Sequence, residues 1–425
     1  MDENYKVLHV CPYFLPSEGG SERAVYYICK ELSKLGVPAD VMTLNTLSCC
    51  VPSSEKDYDI FKLPRRLLAY RTARLPPEEN FHGIKVWRFP YLGFGYSWTE
   101  RARVLSLPMI VHFRSVVRHY SLVHFHTIGF LETSYILSLI CRKNHIPYIV
   151  HVHGIFEFYK NYVNSHPLAR VIVRCLLTRW LKNAARILAI SPADLEILEK
   201  FNVDRNKIKI IPCGIDVSEF ENIQEKYMPK KNKKFVNILY VGTIYPNKGL
   251  EVLIEALVAM DKSKLNRLKV DIVGDTSKFP SYVEKIEKMI KKYGLSSIVR
   301  FRGYVDRRTL LMKYRLADIY VRPSMVESFG ITVLEAMASE TPVIVTDVGG
   351  AKTFVKNGET GLLVPPGDSQ RLREAMEKLI DNNELRKSLA KNGRKFVVAH
   401  FSWSIIAQRI KNIYDEILFK KQNHF

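Results

Sequence analysis

Two glutamates with seven residues between them, Glu327 and Glu335, bracket the segment Ser328-Phe-Gly-Ile-Thr332, which turns at Gly330 and enters an apolar helical pattern. The first amides of a helix find no partner within it, and the helix dipole adds partial positive charge at that end. The N–H groups of Phe329, Gly330, Ile331 and Thr332 are therefore expected to form an anion site suited to a diphosphate. Glu335 lies one to two turns further on, roughly 7 Å along the axis at ~1.5 Å per residue. That resembles a diphosphate-to-ribose spacing, and a carboxylate there can accept both ribose hydroxyls. Glu327 precedes the helix on the loop side of the phosphates, where it can accept hydroxyls of whatever group the diphosphate carries. Taken singly, a glutamate on a loop or helix is more often an ordinary solvent-facing residue.

A second segment, Tyr240-Val-Gly-Thr-Ile-Tyr-Pro-Asn-Lys-Gly249, ends an apolar strand at Gly242 and opens the next helix at Lys248 and Gly249. A lysine so placed can neutralise charge on a departing diphosphate. The plainer alternative is a first-turn lysine facing solvent. Gly19 and Gly20 follow the first apolar strand and suit close approach of backbone to a phosphate or an acceptor; otherwise they only shape the turn before a helix capped by Ser21.

His124 and His126 form one alternating pair and His151 and His153 another, on successive strands, so each pair points to one side of its strand. Together they imitate a metal site, but no cysteine or carboxylate joins them at ligand spacing, and no metal is expected. His126 and His153 end their strands, where ligands approach, whereas His124 and His151 are expected to be buried and hydrogen-bonded.

The elements that must position these residues follow an alternation of apolar strands and helical patterns. Strand-like runs at residues 6–11, 39–44, 122–126, 148–153, 186–190 and 207–211 alternate with helical stretches such as 21–35. A proline-rich, charged region at 45–80 interrupts them and reads as a long surface loop. A lysine-rich stretch at 224–234 separates a second alternation, with strands at 235–241, 270–274, 299–303, 319–322 and 343–346. The strands are continuously apolar, which favours parallel sheets buried on both faces, and ligands of such sheets sit beyond the strands' C-terminal ends. The expected division is a first domain at 1–212, a hinge at 213–234, a second domain at 235–400 and a C-terminal helix at 401–425.

At 425 residues and 47% hydrophobic, the chain can bury two cores. Its start is acidic and lacks the basic region and long apolar run of a secretory signal, and the apolar stretch at 122–141 is broken by histidines, Gly129 and Glu132. The reading is a cytoplasmic protein. Seven scattered cysteines, with no two spaced by a pair of residues, suggest neither a disulfide framework nor a zinc knuckle. The net charge of +21 is concentrated: residues 101–186 hold twelve Lys or Arg against two acids, Glu132 and Glu157. Such a face attracts anionic membranes or phosphorylated acceptors, or is simply a solvated surface. Residues 168–185, where Arg170, Arg174, Arg179, Lys182 and Trp180 interleave with leucines and valines, either lie on a lipid surface or form an ordinary amphipathic core helix.

Taken together, these motifs resemble the family 4 retaining glycosyltransferases over nearly the whole chain. The two-glutamate motif within Ser-Phe-Gly-x4-Glu-Ala-Met-Ala is the most specific piece. Others are Gly19-Gly20, His153-Gly154, Ser191, Ile211-Pro-Cys-Gly-Ile-Asp216, Gly242 with Lys248-Gly249, Gly274-Asp275 and Gly349-Gly350. The resemblance implies a B-type fold: two Rossmann-like parallel-sheet domains facing a cleft, with the C-terminal helix crossing back to the first. It implies transfer of a hexose-type sugar from a nucleotide diphosphate donor to a hydroxyl of a glycan or lipid-linked acceptor, in polysaccharide or glycoconjugate synthesis, without a metal cofactor.

By position, Lys248 would hold the diphosphate, Glu327 the donor sugar, Glu335 the ribose, and His153 would reach the donor sugar from the first domain. The donor-side set also takes in Gly274, Tyr304, Val305 and Ser328, and the acceptor side His126 and His153. Thr243 stands where the family usually has an arginine, which removes a bidentate phosphate ligand, and Cys213 stands where the family often has asparagine. Asp57-Tyr-Asp59 matches the short acidic motif of metal-dependent glycosyltransferases of the other fold, but lacks a flanking apolar strand and reads as coincidence. Competing readings are a hydrolysing nucleotide-sugar epimerase, a non-catalytic nucleotide-sugar-binding protein and a nucleic-acid binder; the last lacks any recognisable finger, basic-region helix or aromatic RNA-reading motif.

Overall fold

A computed structural model describes residues 5–16, 20–46, 58–61, 69–73, 75–93, 104–128, 130–155, 159, 167–221 and 234–419. They form two units, one of residues 1–213 with 403–425 and the other of residues 214–402.

The first unit is built on β1 (Val7–Val10), α1 (Gly20–Lys34), β2 (Ala39–Leu44), β3 (Tyr58–Phe61), β4 (Ala69–Ala73), β5 (Glu78–Phe81), β6 (Ile84–Phe89), β7 (Tyr91–Gly93), β8 (Val104–Leu105), α2 (Leu107–Val116), β9 (Leu122–His126), α3 (Leu131–Lys143), β10 (Tyr148–Val152), α4 (Pro167–Asn183), β11 (Arg186–Ala189), α5 (Pro192–Glu199) and β12 (Ile208–Ile210). Its main sheet runs β12-β11-β10-β9-β1-β2-β6-β5, parallel except for β5 against β6. Successive residues of a strand face opposite sides. On β1, β9 and β10 one side carries Leu8, Val10, Val123, Phe125, Val150 and Val152, which pack into one core with Met109, Phe113, Leu137 and Trp180 of α2, α3 and α4. On the other side of the sheet Cys11, just after β1, and Val41 of β2 join a smaller core with Val25 and Cys29 of α1.

The region read as a long surface loop holds strands instead. β3 and β4 join β7 and β8 in a separate antiparallel sheet, and β5 pairs with β6. Short antiparallel strands need only alternate residues apolar, as in Tyr58-Asp-Ile-Phe61, and that weak signal was hidden among prolines and charges.

The second unit contains β13 (Val236–Val241), α6 (Leu250–Val258), β14 (Leu268–Val273), β15 (Val299–Gly303), α7 (Arg307–Leu316), β16 (Ile319–Arg322), α8 (Ile331–Ala338), β17 (Val343–Thr346), β18 (Leu362–Val364), α9 (Ser369–Asp381) and α10 (Asn383–Phe401). All six strands are parallel, in the order β15-β14-β13-β16-β17-β18. Tyr240, Ile272, Val321 and Ile344 from four of these strands share a core with Leu253, Leu257, Leu372 and Met376. β18 was not anticipated; three residues are too few to show a periodicity. The last helix, α11 (Trp403–Phe419), belongs to the first unit, where Trp403 stacks on Tyr27 of α1 at 5.8 Å and Asp415 accepts from the Tyr5 hydroxyl at 2.6 Å.

Candidate active site

In the second unit β13 and β16 lie side by side, and the chain leaves that pair in opposite lateral directions, through β14 and β15 on one side and β17 and β18 on the other. A crevice opens beyond the C-terminal ends of such a pair. Gly242 follows β13 and Arg322 ends β16. The two loops that leave these strand ends are clamped together: the Met325 N–H donates to the Asn247 carbonyl at 2.9 Å. Gly249 has φ 70°, and a Cβ there would stand 1.8 Å from the Pro323 carbonyl oxygen. Gly349, at φ 55°, holds the second loop from its far side, since a Cβ there would stand 1.5 Å from the Glu327 carbonyl oxygen. Only glycine permits both the left-handed backbone and the close approach.

These clamps bring Lys248 and Glu327 together. Glu327 Oε1 accepts from Lys248 Nζ at 3.1 Å, and Oε2 accepts from Arg322 Nη2 at 3.1 Å and Ser324 Oγ at 3.3 Å. Burial alone would raise the Glu327 pKa, but the adjacent Arg322 and Lys248 cations outweigh it and hold the carboxyl below its ordinary value. Glu327 is thus an ionised acceptor, fixed in place, with lone pairs to spare.

α8 starts beside it. Gly330, in the left-handed region at φ 94°, precedes its first turn, and a Cβ at Gly330 would meet Glu327 Cγ at 3.5 Å. Among the described residues, the N–H groups of Gly330, Ile331 and Thr332 donate to no protein acceptor. They are the orphan donors of a helix start that follows Glu327, the carboxylate paired with Lys248 and Arg322.

Glu335 is buried rather than solvent-facing. Its Oε1 accepts from Arg307 Nη1 at 2.6 Å and its Oε2 from the buried Tyr314 hydroxyl at 3.0 Å. Two bonds leave about half of a carboxylate's acceptor positions open. Gly274 packs against the Gly242 carbonyl, Phe329 is buried, Ser328 and Val305 are half-buried, and Thr243 and Tyr304 are exposed.

In the first unit Gly20 opens α1, while Gly19 and Asp57 lie outside the described residues. The parallel register sets His9 beside His124 and His126 beside His151, gathering five imidazoles on the α1 side of the sheet. His9 Nδ1 and His126 Nε2 are 2.8 Å apart, His126 Nδ1 and His153 Nε2 3.0 Å, and His124 Nδ1 and the Tyr414 hydroxyl of α11 2.5 Å. Ring nitrogens of His9, His124 and His126 lie within 4.8 Å of one another, as do those of His126, His151 and His153.

His126 corrects the sequence reading: although it ends its strand, it is fully buried and both its nitrogens are engaged by other histidines, so it is not an acceptor-facing group. His153 is half-buried just beyond its strand. Asp194 Oδ1 accepts from the Ile155 N–H at 2.9 Å and so holds the turn that presents His153 and Gly154.

Residues 219–396 match the model of the glycosyl transferases group 1, and residues 18–219 that of Glycosyltransferase Family 4. The chain belongs to the family 4 glycosyltransferases. Relatives include a D-inositol 3-phosphate glycosyltransferase of Corynebacterium glutamicum, 26% identical over 97% of this chain and 96% of the relative. Among solved structures, sucrose-phosphate synthase from Thermosynechococcus elongatus aligns with a TM-score of 0.74 at 21% identity, over 98% of this chain and 100% of that one. HepE of Anabaena, in complex with UDP, aligns with a TM-score of 0.71 at 19% identity, over 97% of this chain and 100% of that one. These likenesses show the B-type glycosyltransferase fold, two Rossmann-like domains with the last helix returned to the first.

Three side chains that shape this glycosyltransferase's site were missed in the sequence: Arg322, Arg307 and Tyr314. Arg322 had a readable signal, an arginine ending the apolar run Ile-Tyr-Val. Arg307 and Tyr314 had none, being one basic and one aromatic residue of a helix whose inner face becomes apparent only when α7 packs on α8.

Proposed function

We propose that the protein is a retaining, metal-independent glycosyltransferase that moves a hexose-type sugar from a nucleotide diphosphate donor to a hydroxyl of a glycan or lipid-linked acceptor. The observation that carries this reading is the meeting of Lys248, the ionised Glu327 and the unbonded amides of the α8 start at one pair of strand ends. HepE, which shares the fold, was solved with UDP and with UDP-glucose, which supports a nucleotide diphosphate donor here.

In this mechanism the α8 amides and Lys248 stabilise the charge of the leaving diphosphate, and Glu327 orients the sugar through its hydroxyls. The acceptor hydroxyl attacks from the face the diphosphate leaves, passes its proton to the departing phosphate oxygen, and the anomeric configuration is kept. Glu335 accepts from the ribose. Incubating the purified chain with uridine, guanosine and adenosine diphosphate sugars and a panel of acceptors, with and without EDTA, tests it. The expected result is an α-linked product from an α-linked donor, seen by NMR, at a rate unchanged by the chelator. Nucleotide diphosphate release that never depends on an acceptor would favour the hydrolysing epimerase instead.

The acceptor is proposed to be presented at an anionic membrane surface. No helix among the described residues is long and apolar enough to cross a membrane. Instead, Leu107 and Val111 of α2, Leu139 of α3 and Leu168, Val171 and Ile172 of α4 are exposed, and Arg114, Arg142, Arg170 and Arg174 stand on the same helices. Apolar side chains among cations suit a phospholipid interface. The chain should float with vesicles containing phosphatidylglycerol and should not float with phosphatidylcholine alone, with binding weakened at about 0.5 M salt, where the screening length is roughly half that at physiological ionic strength. Equal flotation with both vesicles would refute the electrostatic docking.

A further inference from the structure

Among the described residues of the second unit, Arg322 has surroundings unlike those of any other cation. It ends an otherwise apolar strand, is buried, and sits over the Tyr240 ring at 5.2 Å from its centroid. Nη1 donates to the Val241 carbonyl at 2.7 Å, while Nη2 and Nε both face Glu327 Oε2, at 3.1 and 3.4 Å. Its room is made by Gly242: a Cβ there would stand 1.9 Å from Arg322 Nη1. The guanidinium therefore occupies the space above Gly242, next to the exposed Thr243.

Burying a guanidinium carries a large desolvation penalty that only well-formed bonds offset, and the bonds Arg322 forms are aimed at one carboxylate and one strand-end carbonyl. Lys248 and Glu327 alone would leave the site electrically neutral; with Arg322 the trio carries a net positive charge beside the α8 amides. A dianionic leaving group is favoured by that sign. Lys248 touches one oxygen of Glu327 and Arg322 the other, so neither oxygen can rotate away without breaking a charge-assisted bond.

We propose that Arg322 is the positioning residue of the donor site: by its fork to Glu327 it orients the carboxylate for the sugar hydroxyls, and it supplies from β16 the positive charge that Thr243 does not provide from the β13 loop. This rests on the donor-site reading above. Burial raises the Glu327 carboxyl pKa and Arg322 counters it, together with Lys248, so the arginine also helps hold that carboxyl below its ordinary value.

The test uses the full chain with the nucleotide sugar that stabilises it most and the matching free nucleotide diphosphate. Arg322→Met is expected to lower kcat about 100-fold, with a smaller change in KM, the loss typical of one removed charge-stabilising donor. The acid limb of its kcat/KM profile should move to higher pH. By calorimetry the variant should lose more affinity for the nucleotide sugar than for the free diphosphate, because Glu327 acts on the sugar. Arg322→Lys, which keeps charge without the fork, should fall between the two. In a Glu327→Gln background Arg322→Met should cost clearly less than in the wild type, since the part of its effect that passes through the carboxylate is gone and only its charge toward the diphosphate remains.

Turnover, acid limb and sugar-nucleotide affinity all unchanged in Arg322→Met would overturn the proposal, as would an equal loss in both backgrounds. Should Arg322→Met not fold, an Arg322→Lys protein matching the wild type in kcat and acid limb is decisive against it. A wild-type chain that binds the nucleotide sugar yet transfers nothing sinks the transfer reading alone, and the affinity comparison still judges Arg322.

Discussion

Between about pH 6 and pH 5 the first unit should lose most of its stability, because five clustered histidines, four buried and His153 half-buried, must stay neutral for it to remain folded. Burial pushes the pKa of His9 down to about 3 and that of His153 down to about 4, and lowers those of His124, His126 and His151 well below 6.5; neighbouring imidazoles lower the last three further. The only other titratable side chain hydrogen-bonded to the group among the described residues is Tyr414, so no carboxylate compensates a proton gained there.

The sign follows directly. Below 6.5 the unfolded chain binds protons that the folded one refuses, so the stability contributed by these groups is complete above 6.5 and falls as pH drops toward their folded values. Each costs about 1.4 kcal/mol per pH unit. At pH 5 that is roughly 2 kcal/mol each and on the order of 10 together, the size of a whole domain's stability. Asp194 opposes this by one proton, since burial raises its pKa to about 6 and the folded form takes up a proton first. Thermal unfolding followed by near-ultraviolet circular dichroism from pH 7.5 to 4.5 measures the effect, and His151→Phe should flatten the slope by one proton. A midpoint constant from pH 7 to pH 5 would show that the imidazoles charge inside the folded unit at little cost.

Lys248→Ala should lower kcat by roughly 100- to 1000-fold with the donor saturating, while leaving the fold intact. The side chain is half-buried on a loop held by backbone contacts of Asn247 and Gly249 rather than by its ammonium, so its removal opens no core cavity. What it removes is the cation that pairs with Oε1 of Glu327, the residue just before the α8 turn. Arg322 still pairs with Oε2, so Glu327 stays anchored and the loss falls on the leaving diphosphate. Lys248→Arg should recover part of the rate, because charge returns at a different reach. Steady-state rates at saturating donor, with thermal midpoints as the folding control, decide the matter; full turnover in Lys248→Ala would end the account of leaving-group stabilisation.

Several elements were legible to the residue. Ala39–Leu44, Leu122–His126, Ile319–Arg322 and Val343–Thr346 are strands read from apolar runs, because a parallel strand covered on both faces is mostly apolar; Val299–Gly303 was read as well, although it is an edge strand with Arg300 and Arg302 exposed. The strands of the small antiparallel sheet were not legible: one of their faces tolerates charge, and their alternation is too short to stand out. In the site, Lys248 and Glu327 were visible as charges flanking glycine turns at strand ends. His126 was misread because strand position was taken for exposure, whereas its burial depends on His9 and His153 arriving from two other strands.

Local chemistry was therefore written in the chain: the alternation of strand and helix, the Gly330 turn with its unbonded amides, and the carboxylate that precedes it all depend on residues within a turn or two of each other. Tertiary structure alone decided that β13 adjoins β16, so that Arg322 reaches across Gly242 to Glu327, that Arg307 and Tyr314 hold Glu335, and that four buried imidazoles and the half-buried His153 cluster on one face of the first sheet. The physical reason is range. Backbone periodicity and helix-end polarity arise from neighbouring peptide units, whereas charge pairing and desolvation are set by whatever distant segment packs alongside.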